Sequence, residues 1–393
     1  MKHKFKVGLV VSVTAMLFLS SCVSEQSQSG DNKSKETIKI GAVSSITGPY
    51  PFPEVPAAAA AVFDRVNDSG GIQGRLIEFI SEDDGADPAI AAQAGRRLVD
   101  EVGVVALSGS ASMVDCTTNG TFYTQNNVMS LTGTGVEGTC FEMPNIAPVN
   151  NGSIQNFASL LQFSATDLEA DNVCAVILTV PGLTDAYLEV ISDWEANFNK
   201  KIALVDTSVI HGEDPTPAIL ATKNADCDAV IFNSNEPVAA AFMNAVKNQN
   251  MLDSSAWLTI SAAYTDSAIG VLNKQNSLGL YVGSEFVPFT TDDPALSQWR
   301  KTLTEANVPL TSLSIGGYVS AELLVDAIKS INGPITRESV TEALRSPEGF
   351  NNELLGEKFL IGDAEAHNPN TASMVVQANA DGWEVVSNWI FMP

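Results

Sequence analysis

The chain has 393 residues, 45% of them hydrophobic, and a formal charge of −25 at pH 7. This length and hydrophobic content are sufficient for two packed cores. An acidic surface of this size repels phosphate backbones, so the composition argues against nucleic-acid binding.

The first 22 residues have the pattern of an export signal. Three lysines within the first six residues precede a mostly apolar stretch, Val7–Leu19, which is too short to span a bilayer comfortably. Two serines and then Cys22 follow, an arrangement that resembles the bacterial lipobox. We therefore expect a signal peptide over residues 1–21, cleavage before Cys22, diacylation of that cysteine, and a mature chain with a charge of −28.

Residues 22–36 are rich in Ser, Gln, Gly, Asp and Lys, a composition typical of a flexible spacer. No later apolar run reaches 18 residues, so we expect no transmembrane helix in the mature protein. Lipid would then be its only anchor. The predicted location is outside the cytoplasm, tethered to the bacterial cell membrane at the cell surface or in the periplasm.

Four further cysteines in an exported chain predict two disulfides, for which three connectivities are possible. Cys174 opens one apolar run, and Cys227 lies just before another. Two parallel strands that start side by side would bring these two cysteines together. We therefore favour Cys174–Cys227, which leaves Cys116–Cys140. The spacing fits no zinc-site pattern, so no metal site is expected.

Strand and helix signals alternate in the first part of the mature chain. An alanine-rich helix is expected over 56–66, and Asp87 followed by Pro88 is typical of a helix start. The predicted strands are 37–43, 75–81, 102–107 and 128–131. Strands separated by helices indicate βαβ units and a parallel sheet.

A second α/β set follows an amphipathic segment at 153–169. Its predicted strands are 173–179, 201–205, 229–233 and 256–261, with an extended piece at 280–289. Helices are expected at 294–306, 318–331 and 336–345, and a β-hairpin over 372–391. The chain therefore reads as two similar α/β halves.

Three segments match a known family in order and spacing. They are Gly41-Ala42-Val43 to Thr47-Gly48-Pro49, the stretch from Asp64 to Arg75 that contains Gly70-Gly71-Ile72-Gln73-Gly74, and Asp83-Asp84-Gly85-Ala86-Asp87-Pro88. Together they resemble type I periplasmic binding proteins, specifically the branched-chain amino-acid (Leu/Ile/Val-binding) receptors of ABC transporters. The resemblance covers essentially the whole mature chain and is clearest from residue 38 to about 131.

The resemblance implies a clamshell of two doubly wound parallel-sheet lobes joined by a multi-strand hinge. The first lobe would comprise 37–152 with 286–362, and the second 153–285 with 363–393. A small ligand would bind between the lobes, because ligands of open parallel sheets gather at the carboxyl ends of the strands.

The resemblance also implies the site residues of the first lobe. The loops after the third and fourth strands would hold a carboxylate or equivalent acceptor of the ligand through backbone N–H groups and the hydroxyl of Ser112. The alternative is ordinary turn chemistry, since Ser, Thr and Gly are frequent in any loop. An aromatic lid would come from the first loop. The candidate residues are Tyr50, Phe52, Ser110, Ala111, Ser112, Gly133 and Thr134.

The second lobe departs from the family pattern. The position usually held by a tyrosine falls near Leu183 or Thr184, and Asn235 lies in the loop that often carries another. The acidic residue that usually receives an ammonium group should fall near Ser261, where none is present. Asp185 or Glu236 could substitute. An amide, a urea-like compound or a carboxylate is thus nearly as plausible a ligand as an amino acid.

Enzymatic alternatives find little support. The Gly-x-Gly-x-x-Gly match at 133–138 lacks a following helix and a suitably spaced acidic residue, so no dinucleotide cofactor is expected. No Gly-x-Ser-x-Gly motif is present, and the two mature histidines lie far apart in sequence.

The sequence therefore predicts a monomeric, lipid-anchored solute receptor without cofactor, whose partners are a small polar ligand and the permease subunits of an ABC importer. The alternative is a sensor of the same fold that signals to a membrane partner. An exported hydrolase is the least favoured interpretation.

Overall fold

A computed structural model describes residues 36–179, 183–363, 367 and 369–392. The predicted signal peptide, Cys22 and nearly all of the spacer lie outside the described residues. Within the described part, no helix combines the length and the apolar character needed to cross a membrane.

The first sheet has five parallel strands in the order β2-β1-β3-β4-β5. Its strands are β1 (Ile38–Ser44), β2 (Ile77–Asp83), β3 (Ala106–Ala111), β4 (Ser130–Thr134) and β5 (Ile146–Pro148). The predicted parallel sheet is confirmed, and its inner strands are almost wholly buried because helices cover both faces.

The second sheet is mixed, in the order β12-β11-β10-β9-β8-β6-β7, with β13 beside β11. Its strands are β6 (Val173–Val176), β7 (Leu204–Asp206), β8 (Ala229–Phe232), β9 (Ala256–Thr259), β10 (Tyr281–Ser284), β11 (Ala372–Asn379), β12 (Gly382–Val385) and β13 (Ile390–Phe391). Strands β6 to β10 are parallel, whereas β11 runs antiparallel to β10. The predicted hairpin is confirmed as β11–β12, and β13 pairs separately with β11.

The described helices are α1 (Glu54–Asp68), α2 (Pro88–Arg96), α3 (Asp115–Gln125), α4 (Gly152–Thr166), α5 (Thr184–Phe198), α6 (Thr216–Asn224), α7 (Glu236–Asn248), α8 (Asp266–Gln275), α9 (Ser297–Glu305), α10 (Ser312–Ser330) and α11 (Arg337–Leu344).

Helix starts follow the capping chemistry of the sequence. The Asp87 carboxylate accepts hydrogen bonds from the N–H groups of Ala89 (2.7 Å) and Ile90 (3.3 Å), as predicted for the start of α2. Helix α10 begins six residues before the predicted start, because Thr311 and Ser314 form a reciprocal capping box.

The chain passes between the two sheets at three crossings. The first crossing (149–151) follows β5, the second (285–293) follows β10, and the third (369–371) precedes β11. Helix α4 packs on strands of the second sheet, and α9 packs against α1 of the first. Because the first two crossings leave from the carboxyl ends of β5 and β10, those ends of the two sheets adjoin each other.

The structure pairs the four described cysteines as predicted. Cys116 of α3 bonds to Cys140, and Cys174 of β6 bonds to Cys227, with Cα–Cα distances of 5.1 and 5.9 Å. Strands β6 and β8 are parallel neighbours, so the physical reason for the second pairing is also confirmed.

Candidate functional site

The carboxyl ends of the two sheets are joined through Glu285 in the second crossing. Its Oε1 accepts hydrogen bonds from Asn150 Nδ2 (3.1 Å), in the first crossing, and from the Gly152 N–H (2.8 Å), at the start of α4. The side chain of Ser261, just after β9, also interacts with this carboxyl group and lowers its pKa. Burial raises the pKa of Glu285. One acidic group thus connects strand ends of both sheets.

A second buried carboxylate, Asp84, organises the strand ends of the first sheet. Its Oδ1 accepts hydrogen bonds from Ser45 Oγ (2.7 Å) and the Ala86 N–H (2.8 Å), and its Oδ2 accepts one from Ser112 Oγ. Asp84 is fully buried. The segments that follow β1, β2 and β3 therefore converge on one acidic side chain.

Asp115, at the start of α3, is a third acidic group in the same region and is only 2% exposed. Its Oδ1 accepts hydrogen bonds from Asn119 Nδ2 (2.7 Å) and the Tyr123 hydroxyl (2.8 Å). Burial raises the pKa of Asp115 to about 7, and repulsion from Asp84 and Glu137 adds to this shift. Burial also raises the pKa of Glu137. The first-sheet edge therefore carries closely spaced acidic groups.

The candidates at the end of β3 bond mainly within the protein. Ser110 Oγ accepts the Val43 N–H (3.2 Å), and the Ala111 N–H donates to Ser44 Oγ (3.0 Å). Besides donating to Asp84, the Ser112 hydroxyl accepts N–H groups at the start of α3 from Val114 (3.0 Å) and Asp115 (2.9 Å). All three residues therefore stabilise the backbone at the end of β3 and at the start of α3.

Gly133 lies inside β4 and faces helix α10. A Cβ atom at this position would come within 3.1 Å of the Gly317 backbone and 2.6 Å of a Val55 methyl carbon. Glycine is therefore required for the close approach of two helices to the sheet. Thr134, the last residue of β4, is half-buried.

The first-loop aromatics lie over the end of β1. Tyr50 is 55% exposed, whereas Phe52 is half-buried and its N–H donates to the Ser45 carbonyl (2.8 Å). Asp83 holds the start of this loop by accepting the N–H groups of Ile46 and Thr47. The aromatic loop is thus tied to the same strand ends as Asp84.

The second-sheet candidates follow different strands. Leu183 immediately precedes α5 and is half-buried, and Asn235 Oδ1 accepts the Val238 N–H (3.3 Å) at the start of α7. The Ser261 N–H donates to Asn156 Oδ1 (2.9 Å). Of the proposed acidic substitutes, Asp185 is exposed, and Glu236 accepts hydroxyl hydrogen bonds from two residues of the α8 start.

Sequence reasoning missed Glu285 and Tyr187 as residues of these strand ends. The Tyr187 hydroxyl bonds with Ser153 and Asn233, and burial raises its pKa to about 12. Glu285 is the single acidic residue in the apolar run 280–289, and this isolation was the sequence signal that could have identified it. Tyr187 lies one helical turn beyond the position where a tyrosine was expected, which was the signal for that residue.

Cys116, Glu137 and Cys140 come within 4.8 Å of one another. Both sulfur atoms belong to the same disulfide, so this group offers no thiolate to a metal ion.

We expect Ser112→Ala to lower the free energy of unfolding by about 1–2 kcal/mol, because two helix-start N–H groups and Asp84 lose their hydroxyl partner. Urea unfolding measures this change. Thr166→Ala is the matched control, since its exposed hydroxyl bonds only near its own helix end. An unchanged Ser112→Ala midpoint would contradict the assigned bonds.

The comparisons with known proteins agree with this architecture. A structure of a possible leucine/isoleucine/valine-binding protein from Rhodopirellula baltica SH 1 is 18% identical, with a TM-score of 0.73, and the match covers 90% of this chain and 97% of that one. A branched chain amino acid ABC transporter structure from Thermus thermophilus with bound valine is 14% identical, with a TM-score of 0.74 and coverage of 91% and 97%.

A fatty acid ABC transporter substrate-binding protein from Thermomonospora curvata is also similar, with 18% identity, a TM-score of 0.73 and coverage of 91% and 93%. At these identities the likeness shows the fold alone. No curated protein sequence matches the chain. The family model described as periplasmic binding protein matches residues 37–383, and the chain therefore belongs to the periplasmic binding protein family.

Proposed function

We propose that the protein is a lipid-anchored extracytoplasmic receptor that binds a small polar solute between its two sheets and delivers it to the permease of an ABC importer. The observation that carries this proposal is the junction of the two sets of strand ends at Glu285. Through Asn150 and Ser261, that carboxylate contacts residues that follow strands of both sheets.

Family membership supports the solute-binding role, and the three crossings support a change of angle between the two halves. A ligand that contacts both sets of strand ends stabilises a closed arrangement relative to an open one. The closed shape would then be recognised by the permease. The predicted lipid on Cys22 and the polar spacer would keep the receptor beside that partner.

The first test is a melting-temperature screen of the purified mature chain against amino acids, amides, ureas and short carboxylates, extended to amines. A true ligand present at 100 times its dissociation constant stabilises the folded state by about 2.7 kcal/mol, which gives a shift of a few degrees. We expect a saturable shift with at least one class. A flat response across the whole panel would contradict a solute receptor.

A further inference from the structure

The segments that follow the parallel strands carry acidic groups and almost no basic ones. Among their described residues, not one is Lys or Arg, and the sole histidine is His211. Burial lowers the pKa of His211 and so disfavours its charged form. The segments are 45–53, 84–87, 112–114, 135–145, 149–151, 177–179, 183, 207–215, 233–235, 260–265 and 285–293.

Two arginines reach these segments from elsewhere in the fold. Arg345, which follows α11, donates to the Pro144 carbonyl (2.6 Å) and to Asn145 Oδ1 (3.4 Å). The guanidinium of Arg300, in α9, donates to the carbonyl groups of Phe289 and Thr291. These backbone bonds fix the end of the crossing, and no ion pair joins Arg300 to Glu285 among the described residues. Both guanidinium groups are thus engaged by backbone carbonyl groups, and no Lys or Arg belongs to the described residues of the segments themselves.

Hydrogen bonds through Asn150 connect Glu285 to the segment that carries Glu137. Asn150 Nδ2 donates to Glu285, and its Oδ1 accepts the Gly135 N–H (2.7 Å). Gly135 lies two residues before Glu137, which is repelled electrostatically by Asp84 and Asp115. The carboxyl groups of both regions are therefore neighbours at one junction. Burial disfavours the charged forms of Asp115, Glu137 and Glu285, and a nearby cation would stabilise those charged forms.

An acceptor atom without a partner lies beside this junction. It independently indicates that the ligand carries a hydrogen-bond donor. Asn151 is 2% exposed, and among the described residues no donor reaches its Oδ1 atom. Its Nδ2 donates hydrogen bonds to the Ala372 carbonyl (3.1 Å) and to Ser373 Oγ (2.7 Å). Asn151 stands between Asn150 and Gly152, the two residues that donate to Glu285. A buried acceptor without a partner is costly unless a ligand supplies the donor.

The bonding of the carboxylates favours an organic cation over a metal ion. Both oxygens of Asp84 and Oε1 of Glu285 already accept hydrogen bonds, whereas a metal ion would need several of these oxygens as direct ligands. An ammonium group needs only the negative field and one or two acceptors. The aromatic loop of Tyr50 and Phe52 adds ring faces, which attract organic cations.

We propose that the ligand of this receptor is a small organic cation, an amine or quaternary ammonium compound of net positive charge, held by Glu285 and the acidic strand ends of the first sheet. This inference rests on the proposed function, because it names the chemical class that the same junction would bind.

The test compares probes of similar size that differ in charge. Isothermal titration of the purified mature chain would use n-butylammonium and choline as cations, butanamide as a neutral compound, valine as a zwitterion and butyrate as an anion. We expect a cation to bind at least about tenfold more tightly than butanamide, and its affinity to fall with added NaCl because salt screens the attraction. Butyrate should not bind.

Glu285→Gln supplies the second arm of the test. Glutamine keeps the shape and an acceptor oxygen, so we expect a folded protein whose cation affinity falls about tenfold or more while any butanamide binding is unchanged. Glu342→Gln, at an exposed position of helix α11 outside these segments, is the matched control and should leave every affinity unchanged. The salt dependence of the unmodified protein decides the question even where Glu285→Gln does not fold.

The outcomes separate the two proposals. Preferential binding of the neutral, zwitterionic or anionic probe, or a response to Mg²⁺ or Ca²⁺ alone, would overturn the organic-cation inference and leave the receptor function standing. If these five probes fail but the wider panel yields a ligand, a net positive charge on that ligand would support the organic-cation inference, and any other charge would overturn it. The absence of binding by every class would overturn the receptor function itself.

Discussion

Replacing Asp84 by alanine should lower the free energy of unfolding by about 3–5 kcal/mol, because a fully buried acceptor with three donors is removed. The hydroxyl groups of Ser45 and Ser112 and the Ala86 N–H would each lose their partner. Since these donors follow three different strands, the same substitution should also abolish ligand binding at the first-sheet edge. Urea unfolding and the melting-shift screen measure the two effects.

Two control variants separate the carboxylate's role from the loss of a side chain. Asp84→Asn keeps one acceptor oxygen and should cost less than Asp84→Ala. Asp253→Ala removes an exposed carboxylate and should change stability by no more than about 0.5 kcal/mol. If Asp84→Ala were as stable as Asp253→Ala, Asp84 would not organise these segments.

Asp115→Asn should stabilise the protein at pH 8 and have little effect at pH 4. The pKa of Asp115 rises from 3.8 to about 7 on folding, so the folded state binds its proton more tightly. The corresponding stability is fully present below pH 3.8 and is lost as the pH rises through 7. Three pKa units correspond to roughly 4 kcal/mol. This is the largest difference in unfolding free energy expected at pH 8, because the protein around a charged Asp115 can rearrange and reduce the cost of the charge.

The measurement is a pair of urea-unfolding series from pH 4 to pH 8. Asparagine keeps an acceptor for Asn119 and Tyr123, so the difference between the two proteins isolates the buried charge from the hydrogen bonds. Glu285 shifts in the same direction but contributes equally to both series. The repulsion between Glu137 and Asp115 is absent from the Asp115→Asn series and forms part of the measured difference. A difference that does not change with pH would show that Asp115 titrates normally.

Features fixed by local chemistry were predictable from the sequence. The Asp87 cap, the Cys174–Cys227 pairing and the β11–β12 hairpin each depend on a few neighbouring residues or on two adjacent strands, and all are confirmed. Helix α3 was not predicted, because Asp115–Gln125 is rich in Thr, Asn and Gly, which are poor helix formers. Its start is supported instead by Ser112 and by a disulfide, both tertiary interactions.

The acidic junction was not predictable, because the burial of a carboxyl group and its hydrogen-bond partners are set only when distant segments meet. Asp84 was noticed only as part of a family motif, and its neighbour Asp83 looks identical in sequence, although only Asp84 is fully buried. Glu285 reaches Ser261 from the next strand of the sheet, 24 residues along the chain. An acidic side chain therefore lies beside Ser261 in three dimensions, although none lies near it in sequence.

The most direct test of a small-molecule receptor is native mass spectrometry of the mature chain, measured as purified and after incubation with the ligand panel. We predict a single added mass at one-to-one stoichiometry that is lost on denaturation and absent in Asp84→Ala. A spectrum that shows only the bare chain, both as purified and with every class of compound in excess, would contradict the account.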